Sequence, residues 1–402
     1  MTPRILDQSA KLKDVLYEIR GAALVEADRL EADGHRILKL NTGNPAVFGF
    51  EAPYMIESIP TSHGYSDSRG ILSARRAIVS RYEQVPGFPM FDPDDVYLGN
   101  GVSELITMTM QSLLDEGDEV LIPAPDYPLW TAMTSLAGGT PVHYVCDQED
   151  GWQPSLEDIR AKVTDRTKAI VVINPNNPTG AVYSREVLEG IVEIAREQGL
   201  LLLSDEIYDR ILFDGAEHIP LATLAPDLLC LTFNGLSKTY RVAGYRSGWL
   251  VITGPKKRAA GFLQGIQLLA STRLCPNVPG QHAVQAALSG VQSIDALIAP
   301  TGRLHEQRDA AWEGLVAIPG VQCHRPQGAL YAFPRLDPEV YEIHDDGRLV
   351  YDFLVAEHVL LVQGTGFNWP TPDHLRIVTL PEARVLSEAI ERLGNFLSSY
   401  RQ

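Results

Sequence analysis

Short apolar runs recur along the chain at Val96–Gly99, Val120–Ile122, Ala169–Ile173, Leu200–Leu203 and Leu228–Phe233. Each has the length of a strand, and none alternates apolar with polar, so both faces of each strand are expected to be buried. Between them lie stretches of helical periodicity, at about 72–82, 102–114 and 184–198. Strand, loop and helix in repeated succession predict an α/β fold with an open, mostly parallel sheet. Near the start, residues 11–32 are helical in pattern but interrupted at Gly21, with Leu24, Ala27 and Leu30 on one side, and Ile37–Leu40 is a short strand. Beyond about residue 295 the pattern changes to helices (302–314 and 350–357) separated by hairpin-like strands at 320–323, 328–334, 359–364 and 374–379. This predicts an N-terminal segment (1–45), a large α/β/α domain (46–295) and a smaller α+β domain (296–402) that the N-terminal segment joins.

In an open parallel sheet, ligands sit outside the carboxyl ends of the strands. The loops there carry the distinctive chemistry. The turn Gly99-Asn-Gly101 opens a helix, whose first amides and dipole suit an anion. Glu104 stands where a dinucleotide motif needs its third glycine, so the amides of Gly101, Val102 and Ser103 are expected to hold a single phosphate. Lys238 follows the 228–233 run, and Arg246 follows it between Gly244 and Gly248. A lysine amine can condense with an aldehyde, and an arginine presents a planar fork to a phosphate or carboxylate. Asp205 ends an apolar strand, where its charge needs a partner or solvent. Arg376 interrupts another apolar run, where its charge needs a carboxylate.

Composition narrows the class further. With a formal net charge of −17, the chain is a poor match for nucleic acid or an anionic membrane. Hydrophobic content of 45% and charged content of 21% are ordinary for a water-soluble protein. No run approaches the roughly 20 apolar residues of a membrane helix, and the first residues lack a signal-peptide core. Cys146, Cys230, Cys275 and Cys323 lie far apart, which suits reduced thiols in the cytoplasm better than disulfides or zinc, with an apolar buried role expected for Cys275. His305-Glu306 lacks the second histidine of a zinc protease, and no complete P-loop is present.

Three motifs in order carry a family resemblance: Asn174-Pro-Asn-Asn-Pro-Thr-Gly180, Ser204-Asp-Glu-Ile-Tyr208 and Asn234-Gly-Leu-Ser-Lys238 with Arg246. Together they resemble the class I and II aminotransferases, fold-type I enzymes that use pyridoxal 5'-phosphate. The resemblance implies that Lys238 binds the cofactor aldehyde and that Asp205 pairs with the pyridine nitrogen. It implies that Asn177 and Tyr208 share the phenolic oxygen and that Tyr127 stacks on the ring. Ser237 and Arg246, with the helix amides, would hold the phosphate. Gly43 and Arg376, with Asn177, would bind the substrate, Arg376 clamping its α-carboxylate. Tyr65, in the loop 64–70, would cross a homodimer interface to the neighbouring phosphate.

The stretches 11–21, 234–244 and 362–369 look more closely like the bacterial glutamate–pyruvate (alanine) aminotransferases. That implies amino transfer between L-alanine/pyruvate and L-glutamate/2-oxoglutarate, in a ping-pong exchange between the pyridoxal and pyridoxamine forms of the cofactor. A fixed buried arginine would reject alanine, so a movable cation for the second carboxylate of glutamate is expected from the N-terminal segment, at Arg20 with Tyr17 beside it. Aspartate, valine or aromatic specificity, or a β-eliminating C–S lyase, remain alternative uses of the same machinery.

Overall fold

The computed structural model describes residues 21–53 and 64–402. Its centre is an eight-stranded sheet in the spatial order Val96–Asn100, Ser247–Thr253, Cys230–Gly235, Leu201–Asp205, Thr167–Ile173, Glu119–Ala124, Thr140–Asp147, Gln153–Pro154. The pairings from Cys230–Gly235 through Thr140–Asp147 are parallel. Ser247–Thr253 runs antiparallel to both of its neighbours, and Gln153–Pro154 is antiparallel to the far edge. The apolar runs are near-continuous because successive side chains feed different cores. Ile170 and Val172 pack with Leu188 and Ile191 of the helix Arg185–Gln198. Ala169, Val171 and Ile173 pack on the other face with Leu105 and Met108 of Val102–Leu113 and with Ile266 of Ala260–Thr272. Each such fully buried aliphatic side chain contributes roughly 1.5–3 kcal/mol.

Local chemistry sets the helix ends. Ser184 accepts from the Val187 amide at 3.2 Å, and Gly199 closes that helix at φ 67°. Asp345 caps Asp346–Glu357, which therefore starts before the expected residue 350. The strand that holds most of the 228–233 run continues through Asn234-Gly235, a step that by itself reads as a turn, because Asn234 pairs with Trp249 and Gly235 with Gly248.

A separate core joins Leu38 and Leu40 to residues of the last third of the chain, from Ala311 to Leu397. There Leu38–Lys39 pairs in parallel with Val359–Leu360, and Leu375–Val378 lies antiparallel between Tyr331–Ala332 and Val362–Gln363. The helix Ala22–Ala32 begins directly after Gly21 and buries Ala27 and Leu30 against Leu354 and Leu360. No helix among the described residues is long and apolar enough to cross a membrane.

Candidate active site

The carboxyl edge of the sheet and the strand Leu375–Val378 meet at a cavity of about 400 Å³, a size suited to a small ligand. Gly43, Val102, Ser103, Tyr127, Asn177, Asp205, Tyr208, Ser237, Lys238, Arg246 and Arg376 all line it. Arg246 arrives by a route that the strand pattern did not show. Because Ser247–Thr253 runs against its neighbours, its first residue, not its last, meets the ligand edge.

At one end the helix Val102–Leu113 aims its N-terminus at the cavity. Gly101 precedes it at φ +82°, a region that favours glycine, and an added Cβ would collide with the Arg246 guanidinium. Arg246 itself is held by hydrogen bonds to the Ala243 and Asn100 carbonyls, at 2.9 and 3.4 Å. The Gly101 N–H, expected to hold a phosphate, donates instead to the Gly99 carbonyl at 2.7 Å, so it is committed within the turn. Gly101 supplies conformation and clearance, and the amides left to meet an anion are those of Val102 and Ser103.

On the floor, Asp205 is buried at the end of its strand. Its Oδ2 accepts from the Trp130 indole N–H at 3.0 Å and its Oδ1 from the Ile207 amide at 3.3 Å. Burial pushes its carboxyl up to about 6, against the lowering effect of those two bonds. The Lys238 ammonium donates to the Gly43 carbonyl at 2.7 Å and lies 5.7 Å from the centre of the Tyr208 ring. Both Asn–Pro bonds of the 174–178 loop are cis, and Asn177 is buried with Oδ1 accepting from Arg376 at 3.2 Å. Arg376, 2% exposed, also donates to the Asn41 carbonyl at 2.5 Å and lies over the rings of Tyr331 and Phe367 at 4.7 and 4.5 Å.

Tyr331, Trp130 and Asn41 were not singled out in the sequence. Tyr331 reaches the site because its strand pairs beside that of Arg376, with Tyr331 opposite Val378. Its hydroxyl meets that of Tyr208 at 2.7 Å and fills the space left by the missing side chain of Gly43. Tyr65 stands 83% exposed and is not among the residues lining the cavity. Tyr17 and Arg20 lie outside the described residues, but Leu24, shortly after them, lines the rim. Cys275 is half-buried, accepting from the Ser66 amide at 3.4 Å, where apolar burial was expected. All four cysteines are free thiols, and the described residues include no His, Cys, Asp and Glu cluster able to hold a metal.

A mixed sheet with an amine, a buried carboxylate and two arginines gathered at its carboxyl edge defines an α/β enzyme for small anionic substrates. The comparisons give the family. Residues 36–393 match the model for aminotransferase class I and II, and the chain belongs to that family. It is 70% identical to the alanine aminotransferase of Mycobacterium tuberculosis, with 99% of this chain and 94% of that protein covered. It is 58% identical to the glutamate-pyruvate aminotransferase AlaA of Escherichia coli, with 99% of each covered. Among solved structures, an alanine aminotransferase from Pyrococcus furiosus superposes with a TM-score of 0.92 at 38% identity, covering 98% of this chain and 100% of that one.

Proposed function

We propose that this chain is a pyridoxal-phosphate-dependent aminotransferase that exchanges amino groups between L-alanine/pyruvate and L-glutamate/2-oxoglutarate. The observation that carries the reading is the convergence of Lys238, Asp205, Asn177, Tyr208, Arg246 and Arg376 on one cavity. The relatives named as alanine and glutamate-pyruvate aminotransferases support the substrate pair.

The residues suit the cofactor. A phosphate is matched by Arg246, Ser237 and the Val102 and Ser103 amides, and a cationic ring nitrogen would neutralise the buried Asp205. Asn177 and Tyr208 offer hydrogen bonds to the phenolic oxygen, and Tyr127 a ring to stack on. When bound, the cofactor supplies an aldehyde for the amino group and a ring that withdraws electrons.

The chain's own residues do the rest. Arg376 binds and orients the substrate α-carboxylate, beside Asn177 and Gly43. Lys238 would take the proton from Cα of the amino acid and deliver it to the cofactor carbon that holds the nitrogen, and would run the transfer in reverse for the second oxo acid. Asp205 keeps its charge opposite the ring nitrogen. Water would supply the oxygen of the departing oxo acid, the amino group would stay with the cofactor, and a second oxo acid would accept it with return of the water.

The same reading makes the enzyme a cytoplasmic homodimer in which the exposed Tyr65 reaches the partner's phosphate site. Arg20, with Tyr17, serves as the movable cation for glutamate, supported by the position of Leu24 at the rim. The core that unites Leu38 and Leu40 with residues 311–397 supports the joining of the N-terminal segment to the smaller domain, whose proposed start at 296 falls within the helix Ile294–Ile298.

The test is the visible absorbance of the purified protein, followed on adding one amino acid without any oxo acid. Loss of the band with L-alanine and with L-glutamate is expected. Loss with aspartate or aromatic amino acids but not alanine would overturn the substrate pair, and ammonia release with a persistent band would indicate the lyase. The Lys238→Ala variant should bind cofactor without turning over. Arg20→Ala should raise KM for glutamate and leave that for alanine nearly unchanged; equal increases would rule out the movable clamp.

A further inference from the structure

Glu104 denies the chain a dinucleotide motif and has no part in the function described above. It stands in the first turn of Val102–Leu113, the helix whose Val102 and Ser103 amides face the cavity, yet it is not among the residues that line that cavity. Its carboxylate faces the preceding turn instead. Oε2 accepts from the Asn100 backbone N–H at 2.8 Å, and Oε1 from the Asn100 side-chain amide at 2.9 Å. The Arg273 guanidinium donates to Oε2 at 2.7 Å, in a pair whose side chains are 15% (Arg273) and 24% (Glu104) exposed.

Asn100 carries this anchorage to Arg246. Its backbone carbonyl accepts from the Arg246 guanidinium at 3.4 Å, and its side-chain oxygen accepts from the Asn277 N–H at 2.8 Å. The Asn277 side chain donates in turn to the Tyr245 carbonyl at 2.6 Å, on the peptide that leads into Arg246. Arg273 extends the network the other way, donating to the Leu98 and Ser68 carbonyls at 2.9 and 3.0 Å. Ser68 belongs to the loop 64–70 that carries Tyr65.

An acid in the first turn of a helix usually reaches back to the N–H of the capping residue. Here the Gly101 N–H is already bonded to Gly99, and Glu104 reaches one residue further, to Asn100. The Val102 and Ser103 amides are not spent on it. All three groups aimed at Glu104 are donors, so a carboxylate satisfies them where the NH2 of a glutamine would oppose one. The negative charge has a cost, however, because it stands at the same helix end as the anion site and repels an anion there.

We propose that Glu104 and Arg273 are a positioning pair for the phosphate site. The Glu104 carboxylate locks the turn Gly99–Gly101 and, through Asn100, the Arg246 side chain, while Arg273 cancels the Glu104 charge toward the phosphate. The proposal rests on the pyridoxal-phosphate reading and deepens it at the phosphate end.

The test titrates cofactor-free protein with pyridoxal phosphate and, separately, with pyridoxal, which has the same ring and aldehyde without the phosphate. The ratio of the two Kd values reports on the phosphate site alone. Glu104→Gln should weaken pyridoxal phosphate about tenfold and pyridoxal by less than about twofold, as loss of charge-assisted bonds predicts. Arg273→Met leaves the acid uncompensated, so it should lose more, about 30-fold at low salt, and less at high salt, where the repulsion is screened. Adding Glu104→Gln to Arg273→Met should then recover about threefold or more in pyridoxal phosphate affinity, whereas two independent structural losses would add. Arg273→Lys, which keeps the charge, should hold the Kd ratio within about threefold of wild type and carries the charge test if Arg273→Met does not fold. Equal weakening of both ligands in Glu104→Gln, no recovery in the double variant, or a loss in Arg273→Lys as large as in Glu104→Gln would overturn the pair. A wild-type protein that binds pyridoxal as tightly as pyridoxal phosphate would instead overturn the phosphate site itself.

Discussion

The Trp130 indole N–H donates to Oδ2 of Asp205 at 3.0 Å, across the edge-on contact that Trp130 makes with Phe233. The bond favours the charged carboxylate, which burial opposes, and burial prevails: the Asp205 carboxyl lies at about 6. Its folded value exceeds its unfolded one, so it stabilises the fold fully below about pH 4. That contribution is lost as pH rises through about 6, and with a shift near two units it amounts to about 3 kcal/mol. In cofactor-free protein, thermal stability should therefore fall between pH 4 and 6 by more than it does in Asp205→Asn. Parallel pH profiles for the two proteins would refute this.

Gly101 and Arg246 compete for one space. In Gly101→Ala a Cβ must be accommodated at φ +82° and ψ 166° and against the guanidinium, a backbone cost of about 1–3 kcal/mol before any displacement of Arg246. Cofactor affinity should fall about tenfold or more, with the strand Val96–Asn100 and the helix after it intact. Fluorescence titration with pyridoxal phosphate measures it, and unchanged affinity would remove Arg246 from the phosphate site.

Arg376 is wedged between two rings and bonded to Asn177 and Asn41. Arg376→Lys keeps the charge and loses the planar fork. Its kcat/KM should drop by at least about tenfold for alanine and glutamate alike, since both share the α-carboxylate. A loss confined to glutamate would assign Arg376 to the second carboxylate.

Asp126, next to Tyr127, is buried and raised to about 7 by burial, with Asn368 and Thr131 donating to it at 2.6 and 2.8 Å. Asn368 comes from the turn after Val362–Gln363, so this bond ties the Tyr127 loop to the C-terminal third of the chain. Asn368→Ala leaves the acid short of a donor and should cost about 1–3 kcal/mol in denaturant unfolding. Unfolding at the wild-type midpoint would show that the tie is not a stabilising one.

Much of the sheet was legible because strands buried on both faces are written as unbroken apolar runs, and their loops carry unusual Asn, Pro, Gly and Lys residues. Ser247–Thr253 was harder to place, since nothing local distinguishes a reversed strand from a parallel one. The extent of Cys230–Gly235 depends likewise on its partner strand, which pairs through an Asn-Gly step that alone reads as a turn.

By itself the sequence determined most of the parallel strands, several of the helices between them, the loops that carry the site residues, and the aminotransferase motifs, because these depend on local pattern and composition. Only the tertiary structure decided how Arg246 enters the site from a reversed strand, that the Gly101 amide is spent within its own turn, and that Tyr331 sits against Gly43 and Tyr208. Those facts concern residues distant along the chain or the partner chosen by one N–H, and such choices are made by packing and hydrogen-bond geometry in space.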